Sequence, residues 1–95
     1  MNRIEEVQSR LQTRVPDAVV KMIDRPLDEE HGWWFLDVAQ GEKEMLVAWQ
    51  KGQDFGLTYH DGWKEGFANP HQCDEGVPDT DLDHVVDRVI EVLSS

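Results

Sequence analysis

Three short apolar runs separated by glycine turns occupy the middle of this chain and restrict what it can fold into. The runs lie at 33–38, 45–49 and 55–59, and Gly41 and Gly52 lie in the polar turns between them. Each run has the length of a β-strand, and each connection is short enough for a hairpin, in which glycine adopts the positive φ that tight turns need. The pattern predicts an antiparallel meander.

The side-chain alternation differs between these strands. In 55–59 apolar residues alternate with small or polar ones, which predicts one buried face and a position near an edge of the sheet. In the first run Trp33 and Phe35 point opposite to Trp34 and Leu36, so both faces are apolar, and the second run has the same property. Either both faces of these strands are covered, or one face is a binding surface.

Helices are predicted at both ends of the chain. Asn2 and Glu5 have the spacing of a capping box before an apolar stripe that ends near Pro16. Near the C-terminus the apolar residues recur with the spacing of an amphipathic helix. They are Leu82, Val85, Val86, Val89, Ile90 and Leu93.

Residues 18–23 are rich in Val, Ile and Met between two prolines and predict a further strand, with a helical turn as the alternative. The expected fold is a single α+β domain over 1–95. It has an antiparallel sheet of three to four strands, an N-terminal helix, and a C-terminal amphipathic helix packed on the sheet. We expect the N-terminal helix to cover part of the other face or the end of the sheet.

Charge is unevenly distributed along the chain. It holds 9 Lys and Arg against 20 Asp and Glu, for a net charge of −11. Residues 1–26 hold five cations and four acids, whereas 27–95 hold four cations and sixteen acids. Because an acidic surface repels phosphate backbones and anionic headgroups, we expect no nucleic-acid and no membrane partner. The acidity serves either solubility alone or the attraction of a basic protein partner.

Cysteine content and hydropathy indicate the cellular compartment in which the protein works. The single cysteine, Cys73, excludes an intramolecular disulfide, and no apolar run reaches the roughly 20 residues of a membrane span. Residues 1–14 lack the apolar stretch of a signal peptide. We therefore expect a cytoplasmic protein.

No catalytic or metal-binding signature is present. His60, His71 and Cys73 are residue types that a metal site, or a cysteine nucleophile with its base, would use. A structural zinc site needs two spaced ligand pairs, and only one possible pair exists here. We expect no catalytic residue, no metal site and no cofactor, and keep a metal-binding or cysteine-dependent enzyme as an alternative.

Residues 60–79 form the longest stretch without a periodic pattern and are predicted to be an irregular loop. Loops of this length are uncommon in compact domains and are often functional. The aromatic residues in it either pin the loop to the sheet or contact a partner. The candidates for partner binding in this loop are His60, Asp61, Trp63 and Phe67. A further candidate is Trp33, which lies on the sheet face opposite Trp34.

The order of features in 33–95 resembles that of small acidic bacterial proteins of the immunity and antitoxin kind. The features are the run WWFLDV, then LVAW, then FGLTY after a glycine turn, and GVPD before the last helix. The resemblance implies a cytoplasmic, non-catalytic protein that neutralises a partner, and it transfers no site residues. The expected function is a non-enzymatic, protein-binding module of immunity-like or inhibitor-like character. The alternative is a small acidic secretion-type chaperone that acts as a dimer.

Overall fold

The computed structural model of the chain describes residues 2–24, 27–28, 31–59 and 74–94. These residues form two helices and five strands. In chain order the elements are α1 (Arg3–Arg14), β1 (Val19–Asp24), β2 (Trp33–Gln40), β3 (Lys43–Gln50), β4 (Phe55–Thr58), β5 (Glu75–Val77) and α2 (Leu82–Ser94).

The five strands form one antiparallel sheet in which neighbours in sequence are neighbours in space, β1-β2-β3-β4-β5. This confirms the predicted α+β class, the meander, and the strand predicted at 18–23. The sheet has five strands where three to four were predicted. The additional strand is β5, which lies inside the segment that was predicted to be an irregular loop. Its three residues are too few to show a periodic pattern.

Glycine closes both central hairpins. Gly41 has a φ of 61° and Gly52 a φ of 82°, in the left-handed region that other residues adopt only with strain. The first turn holds β2 and β3 in register over their whole length, from Trp33 opposite Gln50 to Gln40 opposite Lys43. These two strands form the centre of the sheet.

One face of the sheet, which we call the inner face, carries the core. Residues directly opposite each other in antiparallel strands share a face, so Met22, Leu36, Val47 and Leu57 form one row across four strands. Both helices bury their apolar stripes in the same core cluster. The helical members are Ile4, Val7 and Leu11 of α1 and Leu82, Val85, Val86, Val89 and Leu93 of α2.

The prediction that α1 covers the other face or the end of the sheet is wrong, because α1 lies beside α2 on the inner face. Five strands about 4.8 Å apart make a sheet roughly 20 Å wide, which accommodates two helices packed about 9 Å apart. Two ion pairs join the helices: Arg10 with Asp83, and Arg14 with Asp87 at 2.7 Å between Nη1 and Oδ1. The acids of α2 are thus partly neutralised by α1.

The first helix begins with the predicted capping box. The side chain of Asn2 accepts a hydrogen bond from the backbone N–H of Glu5 at 2.9 Å, and the carboxylate of Glu5 accepts one from the N–H of Asn2 at 3.3 Å. Both bonds satisfy backbone donors that have no partner within the helix.

Asn2→Ala should lower the free energy of unfolding by about 1 kcal/mol, because it removes the acceptor for the Glu5 N–H. Asn2→Asp is the matched control and should retain nearly all of the stability, since Asp caps helices as well as Asn. Urea unfolding followed by circular dichroism measures both. An equal loss in the two variants would show that the side-chain acceptor contributes nothing.

Candidate functional site

The face of the sheet opposite the helices, which we call the outer face, is closed in its middle. Leu46 is 1% exposed and Ala48 is 2% exposed, although both helices lie on the inner face. Trp33 and Phe35 on the same face are half-buried. The middle of this face is therefore closed to a partner, and any contact surface on this side lies at its margins.

Exposed apolar side chains are concentrated in one segment next to this face. Among the described residues, the exposed large apolar side chains are Val19 at 54%, Ile23 at 52% and Leu27 at 108%. A lone exposed apolar residue is ordinary in a soluble domain, but a group of them in one segment makes that segment a candidate contact surface. We call β1 together with Leu27 the edge segment.

The sequence of β1 explains why its apolar residues lie on both faces of the sheet. Val20 is 8% exposed and Met22 packs against the core, both on the inner face. Val19 and Lys21 lie on the opposite side, where Lys21 pairs across the strands with Asp37. The register shifts between Met22 and Asp24, which makes Ile23 the extra residue of a bulge.

The strand β1 also has one hydrogen-bonding edge with no partner strand among the described residues. It pairs with β2 on one side, and no described residue pairs with its other side. In an edge strand alternate residues direct their N–H and C=O groups away from the sheet. Exposed apolar side chains beside unpaired backbone groups are the arrangement that accepts a further strand.

The charge at this edge differs from that of the molecule as a whole. Lys21 is exposed, and it takes part in none of the ion pairs among the described residues. The chain up to residue 26 holds five cations and four acids, so the edge lies in its nearly neutral part. A partner segment that approaches here therefore meets Lys21 between two apolar side chains, with Asp37 opposite Lys21 in β2.

A polar cluster lies at the other edge of the sheet, where Arg88 of α2 contacts β5. Its Nε donates to both carboxylate oxygens of Glu75, at 3.2 and 2.9 Å, and its Nη2 lies 3.5 Å from the hydroxyl of Tyr59. The guanidinium carbon is 5.6 Å from the centre of the Tyr59 ring. The hydrogen bonds to Tyr59 and to Glu75 raise the pKa of Arg88.

Because an arginine is charged at any physiological pH, this pKa shift creates no acid or base for catalysis. The cluster instead ties the last helix to β5 and to the end of β4. These contacts hold the short fifth strand against the helix.

Trp33, one of the residues predicted to bind a partner, lies in β2 opposite Gln50 and is half-buried. The other four candidates and the two further members of the enzyme hypothesis lie outside the described residues. They are His60, Asp61, Trp63, Phe67, His71 and Cys73. The edge segment was not among the sequence candidates, because whether a strand lies at the edge of a sheet depends on the order of the whole sheet.

Within the described ranges, no group of three or more His, Cys, Asp and Glu side chains is placed to hold a metal ion. His31 lies 2.8 Å from Asp28, between Nδ1 and Oδ2, and both are exposed. Neither helix of the described part of the chain is long and apolar enough to cross a membrane.

Comparisons with protein-family models, with curated proteins and with solved structures found no match. The resemblance to immunity and antitoxin proteins therefore stays a prediction.

Proposed function

We propose that this chain is a small, acidic, non-enzymatic module of the cytoplasm that binds a protein partner through its edge segment, with an immunity-like or inhibitor-like role. The observation that carries the proposal is the exposure of Val19 and Ile23 on a strand whose outer edge no described residue pairs with. Each of these side chains is about half-exposed, so its burial against a partner contributes roughly 1 kcal/mol.

The uneven charge supports a basic partner at long range. Several acids of α2 are paired with arginines, but acids at the two hairpin turns and before α2 are exposed and form no ion pair with a described residue. They are Glu42, Asp54 and Asp81. Their summed field attracts a basic protein, and it repels nucleic acids and anionic membranes. The nearly neutral edge segment then supplies the short-range contact.

The exposure of Val19 and Ile23 also favours a second candidate, a dimeric secretion-type chaperone in which the edge segments of two copies pack against each other through these side chains. Sedimentation of the purified chain distinguishes the two proposals. A monomer at working concentration supports the module that binds another protein, whereas a dimer dissociated by substitutions in the edge segment supports the chaperone.

The double variant Val19→Thr/Ile23→Thr should weaken partner binding about tenfold, which corresponds to about 1.4 kcal/mol, because threonine keeps one methyl group of each side chain. Threonine keeps the β-branched shape and the net charge, so the strand is preserved while its apolar surface is reduced. The partner is captured from native cells with the unmodified chain and identified by mass spectrometry. Its Kd is then measured by calorimetry against both chains.

Gln12→Thr/Gln53→Thr is the matched control, because both glutamines are exposed and neither belongs to the edge segment. It should leave the Kd unchanged. Thermal unfolding verifies that all three chains are folded. If the captured partner binds the Val19→Thr/Ile23→Thr variant and the unmodified chain with the same Kd, the proposed contact surface is wrong.

A further inference from the structure

The outer-side residues of β1 form a short pattern of their own. Val19, Lys21 and Ile23 alternate along the strand as apolar, cationic and apolar, and all three are exposed. A strand added to this edge places its own alternate side chains opposite Val19 and Lys21, and beside Ile23, where β1 bulges. The pattern therefore specifies what an added strand should carry at each position.

A second copy of the chain fits this edge poorly. In a symmetric antiparallel pair, the register that sets Val19 opposite Ile23 of the other copy also sets Lys21 opposite itself. Like charges directly opposite each other are destabilising. A shift to the next register on the same face removes that clash, but it leaves one of the apolar residues opposite a lysine. Among Val19, Lys21 and Ile23 themselves, no symmetric register satisfies all three positions.

A different polypeptide satisfies all three when an acidic residue lies between two apolar ones at alternate positions. We infer that the edge of β1 with no described partner strand binds an extended segment of this kind as an added β-strand, held by backbone hydrogen bonds and by a cross-strand ion pair to Lys21. The inference rests on the proposed function and gives it a partner chemistry. One acid in the docking segment is compatible with a basic partner, since long-range attraction follows net charge.

The test uses the full chain labelled with ¹⁵N and three capped peptides, Ser-Val-Thr-Glu-Thr-Val-Ser and its twins with Gln or Lys in place of Glu. Amide chemical shifts report the binding site and the Kd. The Glu peptide should shift the amides of β1, bind about threefold more tightly than the Gln peptide, and about tenfold more tightly than the Lys peptide. Lys21→Glu should invert the preference between the Glu and Lys peptides.

Two N-methylated forms of the Glu peptide test whether it binds as a strand. One carries methyl groups on the Val and Glu nitrogens, and the other on the Thr nitrogens. A strand that pairs along one edge uses alternate N–H groups, so one form should bind like the parent peptide and the other should not bind. Equal Kd values for the two forms, or for the Glu and Lys peptides, would overturn the inference.

Failure of the inference is distinguishable from failure of the proposed function. If no peptide shifts the β1 amides but Val19→Thr/Ile23→Thr still weakens the captured partner, the edge binds a folded surface, so the strand inference is overturned and the proposed function stands. If that double variant leaves the Kd of the captured partner unchanged, the proposed function fails, and with it the inference that rests on it.

Discussion

Leu36→Ala should lower the free energy of unfolding by about 3 kcal/mol and the Tm by about 15 °C. Leu36 is fully buried in β2, and it lies between Met22 and Val47 in the row that crosses four strands beneath the helices. The substitution loses the transfer free energy of the removed carbons and leaves a cavity that the two flanking strands fill only in part. A loss of this size is a large fraction of the total stability of a small domain.

Ile23→Ala is the control for Leu36→Ala, because it also truncates an aliphatic side chain on the same sheet but at a position that is 52% exposed. It should cost less than about 1 kcal/mol. Urea unfolding monitored by tryptophan fluorescence and by circular dichroism measures both variants. Similar losses at the two positions would contradict the assignment of the inner face as the core.

The features that the sequence predicted correctly have local causes. The hairpins follow from glycines placed between apolar runs, and the C-terminal helix follows from a stripe of apolar residues with helical spacing. The capping box needs only Asn2 and Glu5, three residues apart. Each of these signals lies within one element or one turn, so it can be read without knowledge of the tertiary structure.

The features that the sequence did not predict depend on contacts between distant residues. The position of α1 beside α2 involves ion pairs between residues 73 positions apart in the chain, Arg10 with Asp83 and Arg14 with Asp87. The strand β5 has three residues, and it is recognised only by its pairing with β4. Neither feature leaves a periodic signal in its own segment.

The candidate site was not predicted for the same reason. The sequence indicated that residues 18–23 form a strand, but whether a strand lies at an edge depends on the order of the whole sheet. Val19 and Val20 are identical in sequence terms, and only the fold makes the first 54% exposed and the second 8% exposed. Trp33 was selected because it lies opposite Trp34 in the alternation, and the structure shows it half-buried.

Trp49→Ala should cost about 4 kcal/mol, whereas Trp49→Phe should cost about 1 kcal/mol or less. Trp49 is 3% exposed, lies opposite Trp34 across the central strands, and stacks on Phe55 with 6.1 Å between ring centres and 26° between ring planes. Its buried indole Nε1 has no hydrogen-bond partner among the described residues. A buried N–H without an acceptor is destabilising by about 1–3 kcal/mol. Phenylalanine removes that N–H and keeps the ring contact, which offsets much of the lost volume.

The two substitutions at Trp49 separate ring packing from indole hydrogen bonding, and thermal and urea unfolding of both variants measure them. A double-mutant cycle that combines a substitution of Trp49 with Phe55→Leu isolates the contribution of the ring stacking. We expect a coupling free energy of about 1 kcal/mol between the two residues. If Trp49→Phe destabilised the protein as much as Trp49→Ala, the indole N–H would have to contribute a hydrogen bond in the folded protein. If the cycle gave no coupling, Trp49 would stabilise the core through its buried area alone, because the orientation of the two rings would add nothing.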